Sequence, residues 1–87
     1  MREMFTRWVI RKLVDGIEHR TNAVCRLSNV SDEDTLQALL AQQVFNTEVT
    51  ELKLYNRSQP HEKYTGHRVV ECTANGENFR LIETDVL

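Results

Sequence analysis

Apolar and polar residues alternate on both sides of Asn75-Gly76, with Val70, Cys72 and Ala74 before it and Phe79 and Leu81 after it. A period of two is the signature of a half-buried strand, and Asn-Gly is the preferred pair for a two-residue type I′ turn. Together they predict a hairpin with Ala74 opposite Glu77, Cys72 opposite Phe79, Val70 opposite Leu81 and Arg68 opposite Glu83. Its other face sets Glu71 against Arg80 and Val69 against Ile82, so opposite charges meet without being forced to.

Asp15-Gly16 carries the same turn chemistry near the N-terminus. Pairing Val14 with Ile17 sets Lys12 opposite His19, Ile10 opposite Thr21 and Trp8 opposite Ala23, and Cys25 and Leu27 continue that face. The opposite face then gathers Arg7, Arg11, Arg20 and Arg26. A helix over residues 3–17 is the alternative, because Phe5, Val9, Leu13 and Ile17 lie four apart, as do Glu3, Arg7, Arg11 and Asp15. The β-branched and aromatic run Trp8-Val9-Ile10 and the glycine at 16 favour the hairpin.

Between the hairpins, Ser31 followed by Asp32, Glu33 and Asp34 predicts a helix start with Ser31 as N-cap and acids in the first turn. The helix runs over 32–45, with Leu36, Leu39, Leu40 and Val44 inward and Asp34, Gln37 and Gln42 toward water. Thr50, Leu52 and Leu54 then form the inward side of a strand, leaving Lys53 and Tyr55 on its outer side. Residues 56–66 hold the chain's one proline and read as an exposed loop, longer than an ordinary hairpin connection.

The resulting fold class is α+β, a β-β-α-β-β-β two-layer sandwich with an antiparallel-rich sheet and one covering helix. With the N-terminal helix it becomes α-β-α-β-β-β. Residues 1–87 are expected to form one domain, short enough that a homodimer or other homo-oligomer would supplement its core. Val9, Leu13, Val69 and Ile82 fall on the sheet face away from the helix and suggest a protein interface there.

Composition changes this picture in one respect. The net charge of -2 conceals a gradient, with six basic and three acidic side chains in residues 1–30 against two and five in residues 31–60. The basic third coincides with the arginine face. Arg11 and Arg20 are direct cross-strand neighbours there, an unfavourable pairing that a carboxylate or phosphate would relieve through the planar guanidinium fork. Solvation, or pairing with Glu18 and other acids, would equally account for them.

Candidate chemistry elsewhere is sparse. His61, Tyr64 and His67 in the long loop are capable of proton transfer, but no catalytic signature accompanies them. Cys72 with His61 and His67 lacks the spacing of a compact metal site, so no metal and no cofactor are expected. The chain contains no GxGxxG, P-loop, HExxH, CxxC or GxSxG. Cys25 and Cys72 read as separate buried thiols, no membrane-spanning run is present, and the expected compartment is cytoplasmic. The sequence therefore predicts a small, non-enzymatic, self-associating binding or regulatory module that engages a protein partner. Nucleic-acid or nucleotide binding through the arginines is the alternative, and a small enzyme using the His/Tyr loop a third. The candidate binding residues are Arg7, Arg11, Arg20, Arg26, Lys53, Tyr55, His61, Tyr64 and His67.

Overall fold

The computed structural model describes residues 5–84. Strands β1 (Phe5–Val14), β2 (Ile17–Ser28), β3 (Val49–Tyr55), β4 (Val69–Ala74) and β5 (Glu77–Glu83) form one antiparallel sheet in the order β2-β1-β5-β4-β3. Helix α1 (Glu33–Leu39) runs on into a π-helical turn, Leu40–Val44, and covers one face. The β-β-α-β-β-β order with a single covering helix is the one the hydrophobic pattern predicts. The helical alternative for residues 3–17 is excluded from Phe5 onward; Glu3, its first charged position, lies outside the described residues.

Both hairpins turn as their dipeptides require. Asp15 and Gly16 have φ of 51° and 77°, and Asn75 and Gly76 have 53° and 76°, the two positive values of a type I′ turn. The C-terminal register is as predicted throughout, from Ala74 opposite Glu77 to Val69 opposite Ile82. The N-terminal register holds only as far as Arg11 opposite Arg20. Beyond it Thr21 and Asn22 bulge out, so Ile10 faces Ala23 and Trp8 faces Cys25, two residues later than expected. Asn22 takes the left-handed φ of 62°, and the Thr21 hydroxyl stitches the bulge by donating to the Ile10 carbonyl (2.6 Å) and accepting from the Ala23 amide (3.2 Å). A shift of two keeps every side chain on its face, so the separation of apolar and arginine faces survives.

A second bulge reverses sides. Thr50 faces Thr73 but Lys53 faces Glu71, which leaves one extra residue on β3, and Glu51 absorbs it at φ 51°. Val49, not the expected Thr50, therefore enters the core, and Thr50 is exposed.

The core lies between helix and sheet and comprises Trp8, Ile10, Leu27, Leu36, Leu40, Val49, Val70, Cys72, Ala74 and Leu81. At its margin Arg68 sits over the Trp8 ring at 5.3 Å, pairs with Glu83 at 2.7 Å and donates to the Val30 carbonyl at 2.6 Å. The N-cap is Asp32, not Ser31: its carboxylate accepts from the Thr35 amide at 2.8 Å. Gln37 also departs from expectation, because its amide donates to the Val49 carbonyl instead of facing water. Glu33, one turn earlier, accepts from the Leu54 amide at 2.9 Å. These two helical side chains thus satisfy backbone groups of β3, an edge strand. β2, the other edge, is exposed along most of its length.

Candidate functional site

The pairing of β1 with β5 joins the two hairpins and arranges the second sheet face in rows across the strands. One row reads Val24, Val9, Ile82, Val69, Tyr55, and the next reads Arg20, Arg11, Arg80, Glu71, Lys53. Three guanidiniums on adjacent strands need anions. Glu18 reaches in from β2, with 2.8 Å to Arg80 and 3.6 Å to Arg11, and Glu71 holds Arg80 from the other side at 2.8 Å.

Residues 56–68, between β3 and β4, fold over this face as a strap. Most of the strap is exposed as expected, but His61 and Tyr64 turn inward. The Tyr64 hydroxyl donates to Glu18 at 2.6 Å, and its ring packs on Val9, Val69 and Ile82. All three are buried. For these three of the four residues expected to form an open apolar interface this is a correction, since the chain's own loop covers them; the fourth, Leu13, is half-buried. Tyr55 is likewise not an exposed ring, since His61 meets it edge-on at 4.9 Å and Lys53 lies 4.9 Å over it.

His61 is fixed at both nitrogens. The Lys63 amide donates to Nδ1 at 3.1 Å, which places the proton of the neutral ring on Nε2, 3.3 Å from Glu71. Burial alone would raise the Glu18 carboxyl, but the bonds from Tyr64 and Arg80 and the Arg80 charge outweigh it, and its pKa is lowered. Burial and the Glu18 bond hold the Tyr64 phenol above its usual range. For Arg80, desolvation is overcome by its two carboxylate partners and the pKa is raised. This is a network of fixed charges. The Cys25 and Cys72 thiols are pushed up by burial to about 11 and about 12, which removes them as thiolate nucleophiles near neutral pH. Among the described residues no group of three metal-ligating side chains comes together.

The strap bonds β2 at Glu18 through Tyr64 and leaves Val24 farther along that strand exposed. Between it and the β1–β2 surface lies a groove of about 410 Å³, floored by Val9, Val24 and Ile82. Arg11 and Arg20 close one end, and Tyr64 and His67 form the strap-side wall. His67 Nδ1 lies 2.9 Å from the Glu83 carbonyl. Of the nine residues singled out from the sequence, the fold thus gathers Arg11, Arg20, Tyr64 and His67 around one groove. Arg7 and Arg26 pair on the same face, beyond Val9 and Val24. Lys53, Tyr55 and His61 belong to the ladder that holds the strap down.

Sequence reasoning missed Arg80 and Asn22, and named Glu18 only as a counter-charge. The Glu71/Arg80 pairing was legible, but the row that sets Arg80 beside Arg11 depends on β1 pairing with β5, which no local pattern encodes.

No protein-family model, curated protein or solved structure matches this chain. Among the described residues no helix is long and apolar enough to cross a membrane.

Proposed function

We propose that this chain is a binding module that engages an acidic protein segment through the open β1–β2 half of its second sheet face. One observation carries the reading: on that surface two arginine pairs, Arg7/Arg26 and Arg11/Arg20, flank the apolar pair Val9/Val24. Arg7, Arg20 and Arg26 have no ion-pair partner among the described residues, whereas Arg68 and Arg80 are fully engaged. Val24 is 47% exposed between them. β2 also presents an unpaired backbone edge, to which an extended segment can add as a strand. An acid–apolar–acid segment complements this surface in charge and in period.

Support for an enzyme is weaker. His61 and Tyr64 are occupied in fixing the strap, and the groove brings no activated nucleophile to a base. Nucleic-acid binding draws on the same arginines, but Tyr55, the candidate stacking platform, is covered by His61 and Lys53. Self-association loses the apolar face once expected to drive it and retains the β2 edge.

The test is a fluorescence titration with a short labelled peptide of alternating glutamate and valine, run beside labelled oligo(dT), with light scattering to read oligomer size. The expected result is peptide binding that the Arg7→Gln/Arg26→Gln variant weakens by about tenfold or more, since charge-assisted contacts contribute about 1.5–3 kcal/mol each. Tight oligo(dT) binding with a steep salt dependence, and none to the peptide, would transfer the assignment to nucleic acid.

A further inference from the structure

We propose that the groove between the β1–β2 surface and the strap is a binding site for a small carboxylate carried on an apolar body. It goes beyond docking of an acidic segment: it shares Arg11, Arg20, Val9 and Val24 with that surface but adds the strap-side wall, leaves out Arg7 and Arg26, and takes a different class of ligand. At about 410 Å³ the groove falls in the range of small-molecule sites. Its floor offers an apolar body Val24, 47% exposed, flanked by the edges of Val9 and Ile82 that the Tyr64 ring leaves uncovered, and carries no charge.

The head of the site follows from the charges around it. Arg80 is saturated by Glu18 and Glu71. Arg11 is attracted to Glu18 through Nε at 3.6 Å, beyond direct hydrogen-bonding distance, which leaves its terminal donors available. Arg20 has no counter-charge among the described residues and stands directly across from Arg11. Both carboxylates of this row bond Arg80, so positive charge is left in excess at Arg11 and Arg20, at the groove end. One carboxylate between Arg11 and Arg20 would neutralise it and relieve the like-charge pairing.

A dianionic head fits less well, because ionised Glu18 lies beside Arg11 and repels the second charge. A bare oxyanion would leave the apolar floor unused. On the strap side, the Tyr64 hydroxyl donates to Glu18 and the Nδ1 of His67 is held at the Glu83 carbonyl, so neither of these atoms donates to the bound carboxylate.

Amide and methyl NMR spectra of the full chain, titrated separately with phenylacetate, phenylacetamide and inorganic phosphate, test the site. Phenylacetate is expected to give saturable shifts at Val9, Val24 and Ile82, about tenfold weaker in Arg20→Gln and unchanged in Arg26→Gln. Arg20 is exposed, so its substitution leaves the fold intact, and the spectrum of the unliganded variant verifies that. An absence of saturable shifts, an equal response to phenylacetamide or to phosphate alone, or an unweakened response in Arg20→Gln would overturn the proposal. The acidic-peptide assay depends on Arg7 and Arg26, so either idea can fail while the other stands.

Discussion

The β3–β5 half of the second sheet face and its β1–β2 half share the same two rows of side chains but end in opposite states. Over β4 and β5 the strap buries Val69 and Ile82, and Arg80 is held between two carboxylates. Over β2 the same rows end in exposed Val24 and in Arg20, which has no ion-pair partner among the described residues. The two sheet edges repeat the contrast: Glu33 and Gln37 bond the backbone of β3, while β2 is left open. Row chemistry alone therefore does not decide whether an arginine is structural or available. What decides it is whether neighbouring strands bring carboxylates and a covering segment brings an apolar lid.

The largest expected effect comes from removing the lid. Tyr64→Ala deletes the ring over Val9, Val69 and Ile82 together with the hydroxyl that steadies Glu18, and should destabilise by about 3 kcal/mol in chemical denaturation. It should also make the covered half resemble the open one, with faster amide exchange at Val69 and Ile82. Unchanged exchange there would mean that the strap does not protect this half.

Next in size is the acid the two halves share. Glu18→Gln leaves Arg11 and Arg80 short of a partner and should destabilise by about 1–2 kcal/mol at neutral pH. Burial alone would raise the Glu18 and Glu83 carboxyls, but the contacts of Tyr64 and Arg80 with Glu18 and of Arg68 with Glu83 outweigh it, and both pKa values are lowered. A lowered carboxylate pKa stabilises the fold above the unfolded-state value, and that stabilisation is lost as pH falls toward the folded-state value. Stability should therefore decline on acidification through the carboxylate range, and less steeply in Glu18→Gln. Parallel pH profiles for the two proteins would remove Glu18 from this role.

How much of this was legible in the sequence depended on the range of the interaction. Asn75-Gly76 and Asp15-Gly16 announced their turns because positive φ at two successive positions selects few residue pairs. The faces of β1 and β2 also came out correctly, since the Thr21-Asn22 bulge shifts the register by an even number. Thr50 was misplaced because a single residue, Glu51, bulges and reverses the alternation. Leftward backbone at a glutamate carries no compositional cue. The strap was hardest to read: His61 and Tyr64 look like any polar loop until β1 and β5 pair and set Arg11, Arg80 and Glu18 beneath them. Loop residues that find their partners 46 positions away leave no local period.

The smallest effects give the sharpest form of the comparison, because the same turn occurs once in each half. Gly16 and Gly76 have φ of 77° and 76°, and a Cβ built on either meets nothing within 4 Å, so the strain of Gly→Val is the same backbone term at both. That strain is about 1–2 kcal/mol for a residue forced into left-handed backbone. Gly76 joins two interior strands, β4 and β5, and Ala74 beside the turn is buried in the core, so Gly76→Val should lose that full amount in global stability. Gly16 joins β1 to the open edge, between Val14 and Ile17, which are 44% and 61% exposed. There the hairpin tip can fray without opening the core, so Gly16→Val should lower global stability by less than about 1 kcal/mol while speeding amide exchange at Lys12 and His19. Equal global losses at the two turns would show that the open half is as tightly coupled to the core as the covered half, and the case for β1–β2 as the available surface would weaken accordingly.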